Sequence, residues 1–225
     1  MKRFRYNWNM AKLAGLLAIA ALGGGSSQDS PAYSVDAPGS LWWVVNKQRP
    51  LPEGYLPTDL AVPSVPLSRG HEAETMQLSS QIIPALEALF RAADQNGIKL
   101  WLISGYRSNA YQQTLYQRYV ARDGQAAADR YSARPGTSEH QTGLALDIGN
   151  PNGPCLLQTC YEQTPAGTWL AAHAHEYGFI LRYPEGKEEI TGYQYEPWHF
   201  RYVGLELAHE LHQSGQTMEE YFALK

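Results

Sequence analysis

The 225-residue sequence predicts an α+β domain built on a small, mainly antiparallel sheet flanked by helices. Two observations lead there. Short apolar runs of strand type recur over 99–104, 144–148, 179–183 and 198–202. The helical stretches between them do not alternate with the regularity of βαβ units, which argues against a doubly wound parallel sheet. A chain of this length has room for one sizeable domain and a short leader. The net charge of −4 argues against a general binder of nucleic-acid backbones, which needs a basic surplus.

The leader comes first. Lys2, Arg3, Arg5 and Lys12 precede an apolar run over 13–22. That run is too short for a hydrocarbon core of ~30 Å, so residues 1–25 read as a signal peptide, with an uncleaved membrane anchor as the alternative. Residues 22–27 resemble a lipoprotein cleavage box in which Gly25 stands where the lipid-accepting Cys would be, so export without lipidation is expected. Residues 26–40 are rich in Ser, Asp, Pro and Gly and read as a flexible linker to a domain over 41–225.

Within that domain, residues 42–45 form a strand-like apolar run, and the Pro-punctuated segment 50–60 is expected to wrap the surface in extended form. A helix is expected from about Met76, because Ile82, Leu86, Leu89, Phe90 and Ala93 fall on one stripe before Asn96 and Gly97 end it. Ser108 caps a second helix running to about Arg122, a third covers 168–177, and a last one 205–212. Cys155 and Cys160 lie in a loop-like stretch, where an oxidising compartment favours a local disulfide over half of a metal site.

Three fragments carry chemistry. His140 and Asp147 stand seven apart with Gly143 between them, so a loop turning at Gly143 into a strand can aim both side chains at one point. Glu196 precedes His199 by three, which lets one bind metal and the other hold a water. Together, His140, Asp147 and His199 supply the three ligands of a catalytic zinc, leaving Glu196 as the base. Arg107, in the run Ser-Gly-Tyr-Arg-Ser over 104–108, offers a rigid guanidinium for a carboxylate or a developing oxyanion.

Ser-x-His-x6-Asp followed by Glu-Pro-Trp-His, with the 104–108 run ahead of both, resembles the VanY-type D-alanyl-D-alanine carboxypeptidases. That family shares a zinc-site plan with lysostaphin-type peptidases and hedgehog domains, and the likeness runs from about Val45 to Tyr202. The resemblance implies a hedgehog-like peptidase fold, Zn2+ at His140, Asp147 and His199, Glu196 as base and Arg107 as oxyanion partner. It further implies substrate contacts from Gln112, Ser138 and Tyr183, and a Trp198 packed behind His199. Peptidoglycan stem peptides are the implied partners, at the periplasm or the outer face of the cytoplasmic membrane or wall, with the membrane touched only through the N-terminal segment. An L,D-carboxypeptidase acting on tetrapeptide stems, and a non-catalytic wall-binding module with a structural zinc, are the alternatives. The 155–160 insert is not part of the family pattern. His209 and His212 sit at i, i+3 on an expected solvated face, and His71, His173 and His175 are assigned no role.

Overall fold

The computed structural model describes residues 33–68, 72–150, 153 and 155–224, so the leader, residues 26–32 of the linker, and His71 lie outside the described residues. In chain order, β1 (Leu60–Ala61) and β2 (Leu78–Ser79) pair as a two-stranded antiparallel ribbon, followed by α1 (Ile83–Gln95) and β3 (Trp101–Ser104). Next come α2 (Asn109–Asp123), α3 (Gln125–Tyr131), β4 (Ala145–Gly149), α4 (Pro165–His173) and β5 (Phe179–Leu181). The chain then forms α5 (Glu188–Thr191), β6 (His199–Tyr202), α6 (Leu205–Ser214) and α7 (Met218–Tyr221). Four strands make one antiparallel sheet in the order β3-β4-β6-β5, so the expected α+β class holds.

The sheet separates two environments because neighbouring strand residues point to opposite faces. Leu146 and Ile148 of β4, Leu102 of β3 and Phe200 of β6 pack against the α1 stripe of Leu86, Leu89, Phe90 and Ala93 to form the main core. Asp147, His199 and Arg201 alternate with them. A second cluster joins Val44, Ile180 and Val203 to Leu207, Ala208 and Leu211 of α6 and Met218 of α7. Val35, at the described end of the linker, packs on this cluster.

Several local expectations shift. The helix expected from Met76 starts at Ile83, with Pro84 in its first turn, where a missing N–H costs nothing. Ahead of it, residues Ala73–Met76 form a 3-10 turn and Leu78 pairs with β1. The third helix begins earlier than expected, at Pro165 behind a Thr164 cap, and tightens to a 3-10 turn over Ala174–Tyr177. The 42–45 run buries Trp43, Val44 and Val45 without joining a sheet. Ser108 caps α2 as expected, accepting from the Tyr111 N–H at 3.1 Å. Cys155 and Cys160 are disulfide-bonded. No helix among the described residues is long and apolar enough to cross a membrane.

Candidate metal centre

Two local devices bring His140, Asp147 and His199 together. The 3-10 turn Glu139–Thr142 ends at Gly143, whose φ of 74° is left-handed and whose missing side chain leaves room for the Ser79 N–H. The chain then enters β4, so His140 reaches the site from the turn and Asp147 from the strand. The β4–β6 register supplies the third member by setting Asp147 directly opposite His199.

The candidate ligand atoms of the three lie within 4.8 Å of one another, all on buried side chains. His140 Nε2 and His199 Nδ1 are each 3.4 Å from Asp147 Oδ1. His140 Nδ1 donates to the Gly105 carbonyl at 2.6 Å, which leaves Nε2 as its free lone pair. His140 Nε2 and Asp147 Oδ1 are buried with no hydrogen-bond partner. Such orphaned atoms are costly in a folded interior, and two imidazole nitrogens facing one carboxylate oxygen are the donor set of a three-ligand zinc site. The residues therefore fit a metal of this kind.

Glu196 lies beside the cluster, with Oε2 3.5 Å from His199 Nδ1. A tight turn fixes it: the His199 N–H donates to the Glu196 carbonyl at 3.0 Å, and the Glu196 N–H to that of Tyr183 at 3.1 Å. Arg107 approaches from the other side and donates from Nη1 to Asp147 Oδ2 and to Ser104 Oγ, both at 3.2 Å. Gln112 accepts from Arg107 Nε at 3.1 Å and donates to the Ala133 carbonyl at 2.8 Å, so its amide holds the guanidinium in place. Ser138 and Tyr183 line the same cleft. The rings packed on His199 are Tyr183 and His140, at 4.7 and 4.8 Å between centroids, whereas Trp198 lines the cleft and packs on the main core. The cleft measures about 380 Å³, the scale of a small-ligand site.

The family model described as VanY, D-alanyl-D-alanine carboxypeptidase, matches residues 75–205. The chain belongs to the VanY family. It is 40% identical over 189 residues to the putative carboxypeptidase YodJ of Bacillus subtilis, covering 84% of this chain and 69% of that one. Its fold is similar to that of the LD-carboxypeptidase LdcB, with a TM-score of 0.77, 40% identity and coverage of 83% and 87% of the two chains. It is also similar to the vancomycin-resistance D,D-pentapeptidase VanY solved in complex with Zn(II), with a TM-score of 0.68, 37% identity and coverage of 82% and 99%.

The electrostatics of this VanY-family site separate its groups. Burial, helped by the Arg107 charge, lowers His140 to about 4. Burial also opposes ionisation of Asp147, but His140, His199 and Arg107 outweigh it and hold the carboxyl well below its usual range. For His199, burial works against the charged ring, yet Asp147, Glu139 and Glu196 raise it to about 9. Burial pushes Glu196 up to about 7, with Asp147 adding to it and His199 opposing it.

One group of polar residues has no counterpart among the sequence expectations. Glu139, Arg182, Arg201 and Glu219 are all buried and form a connected charge network behind His199. Among the described residues, the other histidines pair elsewhere: His175 stacks on His212 at 3.6 Å between centroids, and His173 pairs with Glu176 at 3.2 Å.

Proposed function

We propose that the chain is an exported zinc carboxypeptidase that removes the C-terminal D-alanine from peptidoglycan stem peptides ending in D-Ala-D-Ala. The observation that carries this reading is a raised carboxylate, Glu196, lying 3.5 Å from a ring of a three-donor cluster at an open cleft. A structural metal site needs neither a second carboxylate poised near neutrality nor an arginine beside its ligands.

His140, Asp147 and His199 would hold the metal, through Nε2, a carboxylate oxygen and Nδ1. Zinc supplies Lewis acidity to a water and to the scissile carbonyl when it is held there. Glu196, tuned close to working pH, accepts the proton of the attacking water and delivers it to the departing amine. Arg107, mostly buried at the cleft and fixed by Gln112 and Ser104, faces the oxygen on which negative charge develops. Ser138 and Tyr183 line the cleft where the peptide end lies. Residues 1–25 act as the export leader and 41–225 as the catalytic domain.

The likeness to LdcB favours a second reading, cleavage of the tetrapeptide stem after an L-centre, by the same groups. Mass spectrometry of products from separate pentapeptide and tetrapeptide stems, given to the zinc-loaded protein, tests both. Loss of one alanine from the pentapeptide alone establishes the D,D activity, and loss from the tetrapeptide moves the chain to the L,D class. No loss from either returns it to a wall-binding module.

A further inference from the structure

The charge network behind His199 is placed to orient that ring. Glu139 is fully buried, and its Oε1 accepts from Arg182 Nε at 2.8 Å and from Arg201 Nη1 at 2.9 Å. Its other oxygen, Oε2, has no hydrogen-bond partner and faces His199 Nε2, likewise unpartnered, at 3.8 Å. That gap is roughly 0.6 Å beyond the ~3.2 Å upper end of the N–H···O range. On the opposite edge of the ring, Nδ1 faces Asp147 and Glu196. An imidazole that gives its Nδ1 lone pair to a metal carries its proton on Nε2, and a carboxylate can only accept. Arg182 is in turn gripped by Glu219 of α7, with Nη1 and Nη2 donating to its two oxygens at 2.9 and 2.6 Å. Asn46 donates to Glu219 at 3.0 Å, and Arg201 Nη2 donates to the Leu41 and Trp43 carbonyls.

We propose that Glu139 is a positioning residue that fixes the tautomer and orientation of His199 for metal binding, and that α7, through Glu219 and Arg182, holds Glu139 in place. This rests on the zinc reading above. Asn46 and Glu219 both lie outside residues 75–205, so segments flanking the family match brace the centre. A carboxylate on the free nitrogen of a ligating histidine is the arrangement that orients the ring and raises its basicity.

Glu139→Gln tests the assignment. Both arginines need an acceptor where Oε1 stands, so the amide oxygen takes that place and the NH2 is left facing His199 Nε2. That favours the proton on Nδ1, the wrong tautomer. The expected result is release of zinc to a chelator about 10- to 100-fold faster than in the wild type. The visible spectrum of the cobalt-substituted protein is expected to change, and kcat for stem peptide to fall with KM unchanged. Glu219→Gln is expected to shorten zinc residence by a smaller factor. Should Glu139→Gln fail to fold, ring-nitrogen NMR of the zinc-loaded wild type decides: the His199 proton belongs on Nε2, and finding that nitrogen deprotonated overturns the proposal. Wild-type zinc residence in folded Glu139→Gln also overturns it, provided His199→Ala loses zinc. If His199→Ala keeps zinc as tightly as the wild type, the metal reading itself fails.

Discussion

Asp147 and His199 face each other across β4 and β6, and the register that pairs their Cα atoms leaves Asp147 Oδ1 3.4 Å from His199 Nδ1. The centre is therefore a product of strand pairing. A slip of one residue in β4 would turn Asp147 toward α1 and Leu146 toward the cleft. The packing of Leu146, Ile148 and Phe200 against α1 opposes that slip, so the apolar face of the sheet fixes the chemistry of the polar one.

Glu196 is not needed to hold the metal if His140, Asp147 and His199 are the ligands. Glu196→Gln keeps the side-chain shape and the backbone bonds of the turn. It should fold and retain zinc at the wild-type level while kcat falls by about 10²- to 10⁴-fold. Zinc content by elemental mass spectrometry, read beside stem-peptide turnover, checks this. Substantial turnover with zinc bound would remove Glu196 from the role of base.

Arg107 has two duties to separate. Its Nη1 bond to Asp147 would steady a proposed ligand, and its place at the cleft is the one proposed to serve developing charge. Arg107→Ala should lower kcat by about 10²- to 10³-fold even at saturating zinc, the usual loss for one oxyanion donor. It should also loosen zinc by leaving Asp147 Oδ2 without its partner. If saturating zinc restores full kcat, only the ligand-steadying duty is real.

The parts of the site visible in sequence are those set by local spacing. Gly143 between His140 and Asp147 announces a turn into a strand, and Glu196 with His199 announces a shared turn. The α1 stripe is equally plain, because 3.6-residue periodicity survives in the sequence. Glu139, Arg182, Arg201 and Glu219 do not show themselves this way. Each is a charged residue whose default place is the surface, and only the folding of α7 and the β5 and β6 ends around one another makes them partners. Residues 42–45 mislead for the opposite reason, being apolar enough for a strand yet buried with no strand beside them. Helix α3 has only seven residues, too few for an apolar stripe to reveal it.

Metal uptake should be linked to protons with a definite sign. In the metal-free site Asp147 is ionised and His140, lowered to about 4, is neutral at pH 7, so neither has a proton to lose. His199, raised to about 9, is charged at pH 7 and must surrender its Nδ1 proton. Zinc binding at pH 7 should therefore release about one proton, with a fraction more from Glu196, and apparent affinity should rise with pH until about 9. Calorimetric titrations in two buffers of different ionisation enthalpy measure the release directly. A value near zero would mean that His199 is not the ligand that changes charge.

Gly105 joins the fold to His140, the first of the proposed ligands. Its carbonyl accepts from His140 Nδ1 at 2.6 Å, and a methyl at its Cα would run into the Gln77 carbonyl and sit 2.9 Å from Leu78 Cδ2. Since Leu78 is a fully buried core residue of β2, it has little room to yield. Gly105→Ala should thus destabilise the domain by ~1–3 kcal/mol through overpacking. It should also displace the carbonyl that fixes the His140 tautomer, so zinc retention should weaken together with the denaturation midpoint. A loss of stability with zinc retention unchanged would show that His140 is oriented by its own turn, Glu139–Thr142, and not by the end of β3.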